Sequence, residues 1–134
     1  MRKPDTHSLP HPLSRPMFLN LMKIQMPVGA ITSILHRLTG VLLAAGVPLC
    51  LYLLWRSLDS QEGFAQVMDL LHHWAFQGVV IVLVWALAHH MLAGTRHMLT
   101  DINMGSTLHS ARRSAWTVNI AGVLVALLTL GVLP

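Results

Sequence analysis

Apolar residues occupy this chain in three long blocks separated by short polar stretches. The first block opens near Pro27, a residue tolerated in a first helical turn, and runs to about Trp55, with no charge from Leu38 onward. The second covers about Trp74 to Met98 and stays uncharged until Arg96, although it carries His89 and His90. The third runs from about Ser114 to Pro134, with GVLVALLTLGVL at its centre. Each block is long enough for a hydrocarbon core that takes about 20 apolar residues in a helix. The pattern therefore predicts an all-α integral membrane protein with spans at about 27–55, 74–98 and 114–134, preceded by an interfacial segment 1–26. Pro48 falls in the middle of the first span and is expected to kink it, which membrane helices tolerate.

The polar residues that interrupt the first two spans fall on faces. Ser33, His36, Arg37 and Gly40 follow i, i+3, i+4, i+7, and His90, Gly94, His97 and Asp101 follow i, i+4, i+7, i+11. Each set forms one helical stripe. Ionisable groups inside membrane spans usually face the bundle interior and mark a pathway or a cofactor.

Composition agrees with this class. Of 134 residues 54% are hydrophobic and 10% charged, with mean hydropathy +0.58, against about 25% charged residues in soluble domains. The length suits one domain, 1–134. Cys50 is single and lies in an apolar run, which excludes a disulfide framework, and no CxxCH occurs for covalent haem attachment. The sequence pI near 10.3 is accompanied by no basic tract, so no nucleic-acid partner is expected and the surplus charge reads as membrane orientation. Arg2, Lys3, Arg15, Lys23 and Arg37 precede or enter the first span, and Arg96, Arg112 and Arg113 surround the second connection. The first connection, 56–73, has only Arg56 beside Asp59, Glu62 and Asp69. The positive-inside rule puts the N-terminus and the 96–113 connection in the cytoplasm, so both polar stripes lie at that face. The first 16 residues are polar and rich in Pro and His, with neither the apolar stretch of a signal peptide nor the pattern of a transit peptide. A bacterial inner membrane is the expected location.

From periodicity alone, two readings of each polar residue stay open. Arg37 is either a functional group or an interfacial anchor whose stem snorkels. His97 is either part of the site or an ordinary residue near the end of its span, and His89 is expected to pack or hydrogen-bond to a neighbouring helix. Gly94, one turn from His90, marks either close helix packing or room for something flat beside that imidazole. A membrane histidine of this kind suits a haem iron, and the cluster as a whole suits haem or quinone.

SILHRLTG at 33–40 resembles the S-I-x-H-R-x-[ST]-G signature of the cytochrome b556 membrane-anchor family of succinate dehydrogenase, respiratory complex II. HHMLAGTRHMLTD resembles the same family's H-x-x-x-G-x-R-H-x-x-x-D, beginning at His90. The RP at 15–16, SLDSQEGF after the first span, and the three-span layout fit as well. The approach to the first span, RPMFLNLMKI, departs from the RPLSPHL of many relatives.

The resemblance implies a non-catalytic anchor in a heteromeric helix bundle, with flavoprotein, iron–sulfur and small hydrophobic anchor subunits as partners. Succinate is oxidised at FAD in the flavoprotein, and electrons pass through iron–sulfur clusters to ubiquinone. It implies that Ser33 and Arg37 line the quinone site, where a hydroxyl donates to a quinone carbonyl and a permanent charge stabilises the oxygen as it is reduced. It implies that His90 is an axial ligand of haem b, the second coming from the small anchor. His36 and Arg37 would meet the haem propionates, His97 would lie close to the haem, and Asp101 is a candidate proton relay. Two alternatives accompany this expectation: the anchor of a quinol:fumarate reductase, and a structural or transport bundle without haem.

Overall fold

The computed structural model describes residues 26–133. The N-terminal stretch with Arg2, Lys3, Arg15, Pro16 and Lys23, and the final Pro134, lie outside the described residues. Within them the chain is helical, as α1 (Val28–Asp59), α2 (Gln61–His72), α3 (Trp74–Asp101) and α4 (Leu108–Val132). Of these, α1, α3 and α4 are long and apolar enough to cross a membrane.

The ends of the helices follow from local chemistry. Pro27, in extended conformation, supplies the first carbonyl of α1, which accepts from Ala30 N at 2.9 Å. Ser60 is extended, stops α1, and caps α2 with its hydroxyl, which accepts from Gly63 N at 3.0 Å. The connection between the first two spans thus holds a further helix. Its twelve residues, QEGFAQVMDLLH, are too few to span and too amphipathic to register as an apolar block. The Thr107 hydroxyl caps α4 by accepting from Ser110 N, so this helix begins six residues before Ser114. Between α3 and α4 the chain reverses through Asn103 (φ 61°) and Gly105 (φ 72°). Both residue types tolerate this left-handed region, and Gly has no side-chain penalty there.

Packing is inverted relative to a soluble protein. The buried apolar side chains are small, Ala86, Ala93, Ala115 and Val118, and they are joined inside by Thr32, Thr39 and His89. Large apolar side chains such as Leu38, Leu58, Leu87 and Leu128 point outward. Helices in lipid gain nothing from hiding leucine from leucine-like tails. Their contacts rest on close backbone approach and interhelical hydrogen bonds. α3 packs against both α1 and α4, and α1 also meets α4 directly. Tyr52 and Trp55 near the end of α1, and Trp74 at the start of α3, are exposed around the α2 end of the bundle. The start of α1, the end of α3 and the start of α4 share the opposite end, where Pro27, Val28, Gly29, Arg96, Leu108, Ala111 and Arg112 line a cavity of about 220 Å³.

Candidate functional site

The two polar stripes meet at their histidines and glycines. The His36 ring of α1 lies nearly parallel to the His90 ring of α3, with centroids 4.1 Å apart and planes 15° apart. His97, two turns further along α3, meets His36 at 5.2 Å in a tilted arrangement. All three histidines are half-buried.

His90 is held by α1 on several sides. Its Nδ1 lies 3.0 Å from the backbone carbonyl of His36 and 3.3 Å from the Thr39 hydroxyl. A carbonyl oxygen only accepts, so the proton of the neutral ring resides on Nδ1 and the lone pair on Nε2. No hydrogen bond occupies Nε2 among the described residues. Gly40 allows the approach, because a Cβ there would stand 3.0 Å from His90 Cε1. Gly94 opens space at a different point: a Cβ there would lie 3.3 Å from His36 Nε2. Gly40 thus lets α1 approach the His90 ring closely, and Gly94 leaves room for the His36 imidazole stacked on that ring.

His89 differs from His90 in every respect that matters for a ligand. It is fully buried, its Nε2 lies 3.1 Å from Asn119 Oδ1 of α4, and its Nδ1 is enclosed without a partner. The Thr32 hydroxyl lies 3.2 Å from the same Asn119 oxygen and 3.0 Å from the Val28 carbonyl. Gly122 makes room for this group, since a Cβ there would touch His89 Cβ and Trp85 Nε1, each at 3.4 Å. The neighbouring histidines thus point to different jobs: His89 ties α3 to α1 and α4 through Asn119, and His90 presents a free ring nitrogen.

Ser33 and Arg37 sit one turn apart on the flank of α1, half-buried and exposed respectively, with no hydrogen bond to their side chains among the described residues. They are free to meet a ligand or partner. Asp101 is the last residue of α3, exposed and without an ion pair among the described residues. It is not brought into contact with the histidine group. Sequence reasoning missed Thr39, Asn119 and the part played by Arg96. The Arg96 guanidinium donates from Nε to Ser114 Oγ at 3.0 Å and from one terminal nitrogen to the Ala111 carbonyl at 3.1 Å, clamping α3 to the start of α4. Asn119 carried a usable signal, as a lone amide in an otherwise apolar run usually bonds to a neighbouring helix.

A bundle of three membrane-crossing helices, with histidines converging from two spans near one end and an unengaged Ser–Arg pair beside them, defines a multi-pass membrane anchor. The family model for succinate dehydrogenase/fumarate reductase transmembrane subunits matches residues 11–130, and the chain belongs to that family. It is 33% identical over 117 residues to the succinate dehydrogenase cytochrome b556 subunit of Paracoccus denitrificans, covering 87% of this chain and 90% of that one. It is 36% identical over 118 residues to the subunit of the same name from Coxiella burnetii, covering 85% and 92%. Similarity to the Rickettsia bellii subunit of that name is 27% over 115 residues.

Proposed function

We propose that this chain is the large membrane anchor of a succinate:ubiquinone oxidoreductase, contributing an axial ligand to haem b and part of the ubiquinone site. The observation that carries the haem reading is the hydrogen bond from His90 Nδ1–H to the His36 carbonyl. Metal-ligating histidines are oriented by such a bond at the other nitrogen, which fixes the tautomer and raises the basicity of the ligating one. His89 has its own donor spent on Asn119 and its other nitrogen enclosed, so it is not available for that role. The donor set fits haem b: His90 would hold the iron, with His36, Arg37 and His97 nearest to the group's polar edge. When bound, haem b supplies a one-electron redox centre within the membrane. The names of the relatives favour succinate oxidation over fumarate reduction as the physiological direction.

Ser33 and Arg37 are proposed to receive the quinone. The Ser33 hydroxyl donates to a quinone oxygen, and the Arg37 guanidinium, which keeps its charge at any physiological pH, attracts that oxygen more strongly as it gains electrons. Differential stabilisation of this kind speeds reduction. Asp101, exposed at the end of α3, is proposed to pass protons from water toward the site. The small anchor subunit, with the second haem ligand, is proposed to cover the His90 side of the α1–α3 pair. The flavoprotein and iron–sulfur subunits dock on the face with the N-terminus, which the positive-inside rule assigns to the cytoplasm of a bacterial inner membrane.

The test is a reduced-minus-oxidised spectrum of the assembled complex in membranes. His90→Ala is expected to abolish or strongly perturb the b-type signal, and His89→Gln to retain a low-spin haem. Loss of the signal in the His89 variant together with its survival in the His90 variant would overturn the assignment.

A further inference from the structure

We propose that Thr39 and Gly40 form the receptor for the His90 imidazole, with the Thr39 hydroxyl acting as a second acceptor for Nδ1–H and so tuning the ligand. The inference rests on the haem reading above and concerns how this chain prepares its half of the site.

Thr39 is fully buried and its hydroxyl lies 2.8 Å from the Leu35 carbonyl and 3.0 Å from that of His36. A hydroxyl has one proton to give and two lone pairs to offer. Spending the proton on the nearer carbonyl, that of Leu35, locks the side chain and leaves lone pairs for an incoming donor. His90 Nδ1–H is that donor, at 3.3 Å. This is longer than the usual 2.9–3.0 Å of an N–H···O bond, so the His36 carbonyl at 3.0 Å is the principal acceptor and Thr39 the secondary one of a three-centre bond. Gly40 completes the receptor by omission, since a Cβ at that position would press on Cε1 of the same ring. A threonine that merely bonded back along its own helix, as many do, would have no such partner across the interface.

The chemistry gives the effect a sign. Acceptors at Nδ1–H push electron density toward Nε2, which makes the ligand more basic and favours ferric over ferrous iron. Removing one acceptor weakens that push and raises the haem midpoint potential. Thr39→Val keeps the shape and deletes the hydroxyl, Thr39→Ala deletes it with loss of volume, and Thr39→Ser restores it. Redox titration of the haem in membranes carrying the whole complex reads the effect, with haem per flavin measured alongside. The expected result is a potential shifted upward in the hydroxyl-free variants and restored to the parent value in Thr39→Ser. Gly40→Ala is expected to lower haem content or broaden the low-spin signature.

A parent potential in Thr39→Val or Thr39→Ala, or a shift that Thr39→Ser does not reverse, overturns the tuning role. Full haem content with an unaltered spectrum in Gly40→Ala overturns the receptor. His90→Ala in the same membranes separates the two levels. If it keeps a low-spin b-type haem, the ligand assignment has failed; if it loses the haem while Thr39→Val matches the parent, only the present inference has.

Discussion

Replacing Asn119 by leucine isolates the polar tie that joins three helices. Asn119 Oδ1 is within hydrogen-bond distance of both His89 Nε2 and Thr32 Oγ1. The two partners fare differently when it goes. Thr32 retains the Val28 carbonyl at 3.0 Å, so its hydroxyl is still satisfied. His89 has no other bond among the described residues, where its Nδ1 is unpartnered in a fully buried position. The substitution therefore strands an imidazole, at a cost of about 1–3 kcal/mol for a buried unsatisfied group, or up to roughly a hundredfold in the folding equilibrium at 1.4 kcal/mol per decade. Interhelical bonds in membranes average about 0.6 kcal/mol in coupling and reach about 1.7. The His89–Asn119 pair belongs at the upper end because His89 has no alternative partner among the described residues. Heating the detergent-solubilised complex and following intact particles by fluorescence-detected size-exclusion chromatography gives the ranking. Asn119→Leu and His89→Leu should each lower the midpoint, and the double variant should lower it by less than their sum, since removing both partners leaves nothing unpaired. The exposed Ile120→Leu is the control. Strict additivity, or an Asn119→Leu midpoint equal to the control, would refute the tie.

Other outcomes follow from the same geometry. Ser33→Ala should reduce quinone-linked succinate oxidation by the value of one neutral hydrogen bond, about 0.5–1.5 kcal/mol, and Arg37→Leu by that of a charged one, about 1.5–3. Activity with a soluble dye that takes electrons before the membrane should be spared, and equal loss of both rates would withdraw the quinone role from these residues. Arg96→Leu should destabilise the complex more than Arg112→Leu, because only Arg96 holds Ser114 and the Ala111 carbonyl; the same heating assay decides. A reporter fused after Pro134 should be active only outside the cytoplasm and one at Ser106 only inside, and the reverse pattern would place the proposed docking face on the wrong side.

The three spans were legible because apolar length is a property of the sequence that lipid imposes directly. So was an inward place for His36 and His90, since each lies on a polar helical face and the interior is where such faces go, although Arg37 and Asp101 of the same stripes are exposed. Three kinds of feature were not legible. The helix α2 is short and mixed, and its start depends on a cap from Ser60 that any polar loop could imitate. The grip on His90 runs through a backbone carbonyl, which leaves no trace in residue identity, and through Thr39, which reads as one more tolerated hydroxyl in a span. That Gly40 stands opposite His90 and Gly94 opposite His36 was not legible either, because spacing along one helix says nothing of which residue of the other stands opposite.

The length of α1 acts as a depth gauge. Its 32 residues rise roughly 48 Å at about 1.5 Å each, well beyond the about 30 Å of hydrocarbon, so part of the rod must stand in the headgroups. Aromatic residues such as Trp55 and Tyr52 settle at that boundary. Counting back about 20 residues from Trp55 reaches Leu35, at the midpoint of the stretch from Ser33 to Arg37. Those two side chains then stand at the opposite waterline, within reach of protons. Gly40, and with it the His90 ring, lies about five residues deeper, some 7 Å into oil. On the proposed reading, chemistry that consumes protons and chemistry that moves only electrons are kept apart by little more than one turn of a single helix.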